Sequence, residues 1–449
     1  MMNNFDCTPE HMRLFGRTIP IAGALFLGES GSGVEFDTDA GQVRAQILGI
    51  SFELSGVYAA QLGVFVTEYG DDGQPVTEKE PERTEENGNG EGSEPEGRKE
   101  HGENEGEENG EVVHHAPIRI QPCPKGPYEA AKKIPVRRDV HTYEIVSNPE
   151  HKHLRVRIEK LTESQYDKVA LSVLEADAPL YPTPEYGRQI LFIGDSQCAG
   201  YGAARNFDPN ENPATYQFST VDEDVTKSYA WQSAAILGAQ GEYFCESGGG
   251  LISRWIPPET DIPDTNDLML SLFPYVDKNT EKAAKLYLRS HGWKQPLGDY
   301  EYTTLQRRYE KEPGVTPFLA QLVVIYLGTN DVSFTRGISV REQHFVRRYI
   351  DLINDVRKFY TGARVLVLYG MMDQQLMEAC RYAAGYTGSD FLELPLMNPA
   401  EEGIGCGQHP SPLTHRLAAE KIADYAGAVL GWERYASPAF PDADRYFLD

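Results

Sequence analysis

Near residue 181 the hydrophobic pattern of the chain changes its period, and that change restricts it to two differently built halves. Before it, short β-rich runs at 33–47, 51–69, 141–147, 153–161 and 168–176 alternate apolar and polar residues, separated by Gly, Pro, Asn and Asp. Such runs read as an antiparallel sandwich with one face of each sheet buried. After the segment Tyr181-Pro-Thr-Pro, continuous apolar runs at 189–194, 242–247, 321–328 and 363–370 alternate with helical patterns at 229–237, 341–360 and 413–430. Strands that are apolar on both faces and separated by helices belong to a parallel sheet with right-handed crossovers. The expected organisation is a β-sandwich over 1–180, an α/β unit over 181–435 and a tail over 436–449.

Composition narrows the partners. The net charge of -26 excludes nucleic acid and anionic membrane as ligands on electrostatic grounds. Half of that charge sits in one stretch: Glu68 to Glu111 holds 17 acidic and 4 basic residues. The tract at about 70–111 is nearly free of apolar side chains and cannot offset the entropy of ordering, so it reads as a disordered acidic insertion within the β-domain. Residues 59–69 and 112–120 read as strands on either side of it. The N-terminal residues show no basic start followed by an apolar stretch, and no apolar run is long enough to span a membrane. Six scattered cysteines and the absence of an Asn-X-Ser/Thr sequon fit reduced thiols in the cytoplasm. Cys198 reads as a small packed residue.

The chemistry is concentrated at the ends of the apolar runs. The first ends in Gly194-Asp-Ser196, which delivers a serine to the carboxyl end of a strand, where open α/β sheets bind ligands. The second ends in Ser247-Gly248-Gly-Gly, a turn whose N–H groups can face a cavity. The third ends in Gly328-Thr-Asn330-Asp, where an amide can meet developing negative charge; taken alone, Asn330-Asp also reads as an ordinary turn. Finally, His409 lies in a loop, with Pro410 and Ser411 suited to start the following helix. From there it can act as general base to a serine hydroxyl. His415, one turn further on, reads as structural.

In that order these four blocks resemble the SGNH, or GDSL-type, hydrolases. More narrowly, Gly16-Arg-Thr, Glu223-Asp-Val-Thr-Lys-Ser-Tyr229 and Gly405-Cys-Gly-Gln-His409-Pro resemble carbohydrate esterase family two. The resemblance covers most of the chain outside the acidic insertion and residues 256–314. It implies a flavodoxin-like α/β/α domain preceded by a jelly-roll-like β-sandwich, and removal of O-acetyl groups from carbohydrate. It implies Ser196 as nucleophile, His409 as base, and an oxyanion hole of Ser196 N–H, Gly248 N–H and the Asn330 side chain. One position departs from the family pattern: the aspartate that usually orients the histidine would stand at 407, which is glycine. The preferred reading is a Ser–His dyad with the Gly407 main-chain carbonyl in place of the carboxylate; Glu401, Glu402 or Asp373 are the alternatives. Neither metal nor cofactor is expected, and His114-His115 reads as merely exposed. Trp255 and Trp293 can stack on a sugar but read first as core residues. An esterase of other specificity (lipase or thioesterase) and a sugar-binding homologue of weak activity are the competing functions.

Overall fold

The computed structural model describes residues 1–51, 59–70, 130–207, 216–292, 302–306 and 318–434. The acidic insertion, the strand expected over 112–120, His114, His115, Trp293 and the tail 436–449 lie outside the described residues.

The N-terminal half forms two antiparallel sheets. In one, Thr18–Ile21, Ala24–Leu27, Lys168–Ala176, Gln42–Ile50 and Asp139–Ser147 lie in that order, with Asn3–Asp6 also paired to Lys168–Ala176. In the other the order is Tyr181–Pro182, Gly33–Thr38, His153–Lys160, Gln61–Tyr69 and Lys132–Pro135, with Arg13–Phe15 beside Gly33–Thr38. Period-2 alternation sends one set of side chains from each sheet inward. Phe36, Val64, Val156 and Ile158 from one sheet meet Leu25, Ile47, Val169 and Leu171 from the other in a single apolar cluster.

The C-terminal half is a five-stranded parallel sheet in the order Gln240–Cys245, Gln189–Gly194, Leu322–Tyr326, Arg364–Tyr369, Asp390–Glu393. In chain order this is 2-1-3-4-5, the flavodoxin-like arrangement. The chain steps one way from the first strand to the second and the other way from the third onward. Right-handed crossovers therefore place helix Tyr229–Ile236 on one face of the sheet and helix Ser339–Phe359 on the other. The closing helix Pro412–Leu430 packs on the former, and Met377–Thr387 on the latter. The three inner strands are buried along nearly their whole length, which explains why they read as unbroken apolar runs.

The two halves share packing. Ile19, Phe26, Leu48, Ile50 and Ala170 of the first antiparallel sheet belong to the same apolar cluster as the parallel sheet. Buried polar contacts join the halves as well. Arg13 Nη1 donates to Gln240 Oε1 at 2.8 Å, Arg17 Nη1 to the Tyr275 carbonyl at 3.0 Å, and the Trp231 indole to Glu159 Oε1 at 2.9 Å.

Candidate active site

Ser196 is placed by the turn that ends Gln189–Gly194, the first strand of the parallel sheet in chain order. Gly194 has no room for a side chain: a Cβ there would stand 2.5 Å from Cys198 Cβ and 3.2 Å from Tyr229 Oη. Asp195 then caps the short helix Ser196–Ala199 by accepting from Gln197 N at 3.1 Å. Burial raises the Asp195 carboxyl to a pKa of about 7, and the bond from Gln197 N opposes that rise. Ser196 is 6% exposed, and its Oγ lies 2.7 Å from His409 Nε2.

The loop before helix Pro412–Leu430 supplies His409 in a defined tautomer. Gly407 and Gln408 both adopt left-handed backbone conformations, with φ of 65° and 63°. This double twist turns the Gly407 carbonyl back onto the imidazole, where it accepts from Nδ1 at 3.0 Å. A carbonyl is an acceptor only, so Nδ1 carries the hydrogen and Nε2 presents its lone pair to the serine hydroxyl. The ring of Tyr201 lies against the imidazole at 4.6 Å between centroids and is itself stacked on Phe218 at 3.8 Å. Packing around the half-buried ring lowers the His409 pKa to about 4, while the Nδ1 bond pulls the other way. The imidazole is thus neutral over the physiological range. None of the three alternative acids meets the ring. Glu402 accepts from Thr414 Oγ1 at 2.5 Å, Asp373 from Tyr369 Oη at 2.5 Å, and Glu401 lies exposed on the helix Pro399–Glu402.

The other side of the serine is lined by the loops after the neighbouring strands. Gly248 follows strand Gln240–Cys245 with φ of 75°, and its N–H has no acceptor among the described residues. Asn330 follows strand Leu322–Tyr326 and is 8% exposed. Its Nδ2 donates to the Gly249 carbonyl at 2.8 Å and more weakly to Asp195 Oδ2 at 3.3 Å. Asp331 beside it is fully buried and accepts from the N–H groups of Leu251, Ile252 and Ser253 at 3.0, 2.8 and 3.2 Å. Burial raises Asp331 to about 7, and those three bonds counter it. Arg254 donates to the Ser247 carbonyl at 2.9 Å. The loop carrying Gly248 is therefore tied at both ends.

Contacts join the four motifs, Ser196 to His409 and Asn330 to both Asp195 and Gly249, and two expectations are corrected. Cys198 is paired with Cys245 in a disulfide rather than left as a thiol. Parallel register sets Gly194 beside Cys245, and one helical turn after Gly194 brings Cys198 within a Cα separation of 5.7 Å. Trp255 is 58% exposed and not a core residue; its backbone N–H donates to the Gly248 carbonyl at 2.9 Å, which sets the residue next to the Gly248 turn. His415 is buried, and its Nδ1 accepts from Tyr229 N at 3.2 Å. Burial lowers its pKa to about 3. The sequence reading missed Tyr201, Asp331 and Arg254 as supports. Asp331 stood inside a quoted motif, but only the fold shows the loop that it holds. Among the described residues no cluster of His, Cys, Asp and Glu has the arrangement of a metal site.

The parallel sheet of order 2-1-3-4-5, with Ser196 at the carboxyl end of its first strand and His409 in the loop before the last helix, defines a flavodoxin-like α/β fold. More narrowly, the chain has the fold of a family two carbohydrate esterase from Clostridium thermocellum solved with cellohexaose. The TM-score is 0.62 at 20% identity, over 94% of this chain and 100% of the other. In sequence it is similar to an acetylxylan esterase/glucomannan deacetylase of Cellvibrio japonicus, 30% identical over 225 residues, 48% of this chain and 50% of that protein. It is also similar to a cellulase/esterase of Acetivibrio thermocellus, 27% identical over 257 residues, 55% of this chain and 26% of that protein. The matches thus span half or less of these curated relatives. No family model matches the chain. Among the described residues no helix is long and apolar enough to cross a membrane.

Proposed function

We propose that the chain is a serine esterase that removes O-acetyl groups from carbohydrate. The observation that carries this reading is the 2.7 Å contact of Ser196 Oγ with a His409 whose Nδ1 is held by a main-chain carbonyl. Neutral His409 takes the proton as Ser196 Oγ attacks the acetyl carbonyl carbon. The oxyanion is met by Ser196 N–H, the unengaged Gly248 N–H and Asn330 Nδ2, which exchanges its long bond to Asp195 for a charge-assisted one. His409 then gives its proton to the departing sugar oxygen. Water, deprotonated by the same ring, hydrolyses the acetyl-enzyme and regenerates Ser196. These groups complete every step, with the Gly407 carbonyl in the place of the missing aspartate.

The substrate class rests on the relatives, two of which are named esterases, and on Trp255, an exposed aromatic residue whose backbone is bonded to Gly248 and whose ring can stack on a sugar. In this reading residues 181–435 form the hydrolase unit, and residues 1–180 a jelly-roll-like sandwich packed against it. The test is acetate release from acetylated xylo-oligosaccharides and from nitrophenyl acetate by the wild type and Ser196→Ala. Wild-type activity exceeding the variant by roughly 10⁴-fold or more supports the reading. Equal background from both proteins rejects it, and preference for long acyl chains replaces it with a lipase-like esterase.

A further inference from the structure

We infer that Glu163, a residue of the N-terminal half, sets the oxyanion-binding loop of the hydrolase half through its bond to Ser247 N–H. The inference rests on the esterase reading and goes beyond it, because it makes the antiparallel domain a working part of the active site.

Glu163 lies in the connection between strands His153–Lys160 and Lys168–Ala176, which belong to the two different antiparallel sheets. It is fully buried. Its Oε2 accepts from Ser247 N at 2.6 Å, and Ser247 is the residue immediately before Gly248. Its own backbone N–H donates to Glu223 Oε1 at 2.6 Å, a side chain of the hydrolase half that is 2% exposed. Two residues earlier, the Leu161 carbonyl accepts from Val225 N at 3.0 Å. The Glu163 carbonyl in turn accepts from Lys160 Nζ at 3.2 Å, with the whole lysine side chain buried. The connection is therefore bonded to the hydrolase half at Leu161 and at the Glu163 backbone itself. The carboxylate cannot drift without breaking buried contacts.

Elsewhere the loop it grips is bonded, among the described residues, to groups of the hydrolase half. Asp331 holds residues 251–253, Arg254 holds the Ser247 carbonyl, and Gly249 N donates to the Glu246 carbonyl at 2.8 Å. Among the described residues, only the Ser247 N–H of this loop takes its partner from the N-terminal half. The next N–H along the chain is that of Gly248, the donor left without an acceptor. Consecutive peptide planes share one Cα, so the direction of the first N–H constrains that of the second. An oxyanion donor misdirected by a fraction of an ångström loses much of its worth, since the hydrogen bond weakens steeply with angle. This also gives a role to Glu223, which opens a sequence motif that the chemistry at Ser196 leaves unused.

Glu163 is a positioning residue, and the test separates that role from simple support of the fold. In the full chain, Glu163→Gln keeps an oxygen acceptor for Ser247 N–H and Glu163→Ala removes it. Kinetics on nitrophenyl acetate are expected to show kcat lowered roughly 10–100-fold in Glu163→Ala with KM nearly unchanged, because only the transition state carries the oxyanion. Glu163→Gln is expected within about threefold of the wild type. Hydrogen exchange at residues 247–253, followed by mass spectrometry, is expected to speed up in Glu163→Ala and not in Glu163→Gln. A Glu163→Ala protein with wild-type kcat, or with unchanged exchange in that loop, overturns the inference. So does a Glu163→Gln protein as slow as Glu163→Ala at an unchanged melting temperature. If the wild type releases no more acetate than Ser196→Ala, the esterase reading fails by itself, and the exchange comparison still decides the role of Glu163.

Discussion

The acid limb of the pH–rate profile tests the dyad directly. In the proposed mechanism His409 works as a base only when neutral, and packing lowers its pKa from 6.5 to about 4. At about pH 5.5 an imidazole of pKa 4 is ~97% neutral, whereas one at the ordinary value is ~9% neutral. kcat/KM reports the free enzyme, so activity on nitrophenyl acetate should hold down to about pH 5 and fall with a midpoint near 4. Gly407→Asp then adds the missing carboxylate. A Cβ built on Gly407 stands 3.6 Å from His409 Nδ1 and 3.1 Å from Tyr201 Cε1, so the side chain fits after a small shift of the tyrosine. The left-handed φ of 65° costs the new residue about 1 kcal/mol, and aspartate tolerates that region better than most. An anion so close to Nδ1 favours the imidazolium, which moves the limb upward by roughly 1–3 pH units. Activity near neutrality should change by less than about tenfold, because the Gly407 carbonyl already fixes the tautomer. Two results refute the reasoning. A wild-type limb at 6.5 would mean that packing does not desolvate the base. A gain approaching the ~10⁴-fold that a triad aspartate supplies would mean that the carbonyl orients nothing.

Two further outcomes follow from the same geometry. Asn330→Ala should lower kcat about 10²–10³-fold with little change in KM, since in the proposed mechanism the lost amide acts on the oxyanion; an equal fall in affinity for substrate would assign Asn330 to ground-state binding instead. Asp195 has its pKa raised by burial from 3.8 to about 7, so its favourable contribution to stability is complete below about pH 4 and is lost as pH climbs to 7. Asp195→Asn keeps the helix cap without the charge. The melting temperature of the variant minus that of the wild type should therefore grow between about pH 4 and 7, and a constant difference across that window would contradict a neutral buried Asp195.

Much of the architecture was legible because it depends on local periodicity. The apolar runs at 189–194, 321–328 and 363–370 match strands Gln189–Gly194, Leu322–Tyr326 and Arg364–Tyr369 to within a residue or two. The helical pattern at 341–360 matches Ser339–Phe359. What escaped was short, edge-bound or outside the resemblance. The four-residue strand Asp390–Glu393 lies half-exposed at the sheet edge, and Asn3–Asp6 owes its extension to pairing with Lys168–Ala176. Helix Lys278–Ser290 is amphipathic, but it lies within 256–314, outside the resemblance, and was not read as a helix. Trp255 was misplaced because hydrophobicity predicts burial only on average, and here a bond from its N–H to the Gly248 carbonyl decides which way the loop runs.

Sequence alone determined the two-part plan and the order of the four motifs, because residue type and spacing along one chain set strand ends, turns and helix starts. It also determined that position 407 carries no acid. The tertiary structure decided what meets Nδ1 where that acid would stand, since the Gly407 carbonyl reaches it only through two successive left-handed residues. It decided the pairing of Cys198 with Cys245 as well, which parallel register brings about and spacing does not announce. Above all it decided that Glu163 meets Ser247, 84 residues away. Contacts at that separation arise from how sheets and loops pack, and no periodic signal in the chain records them.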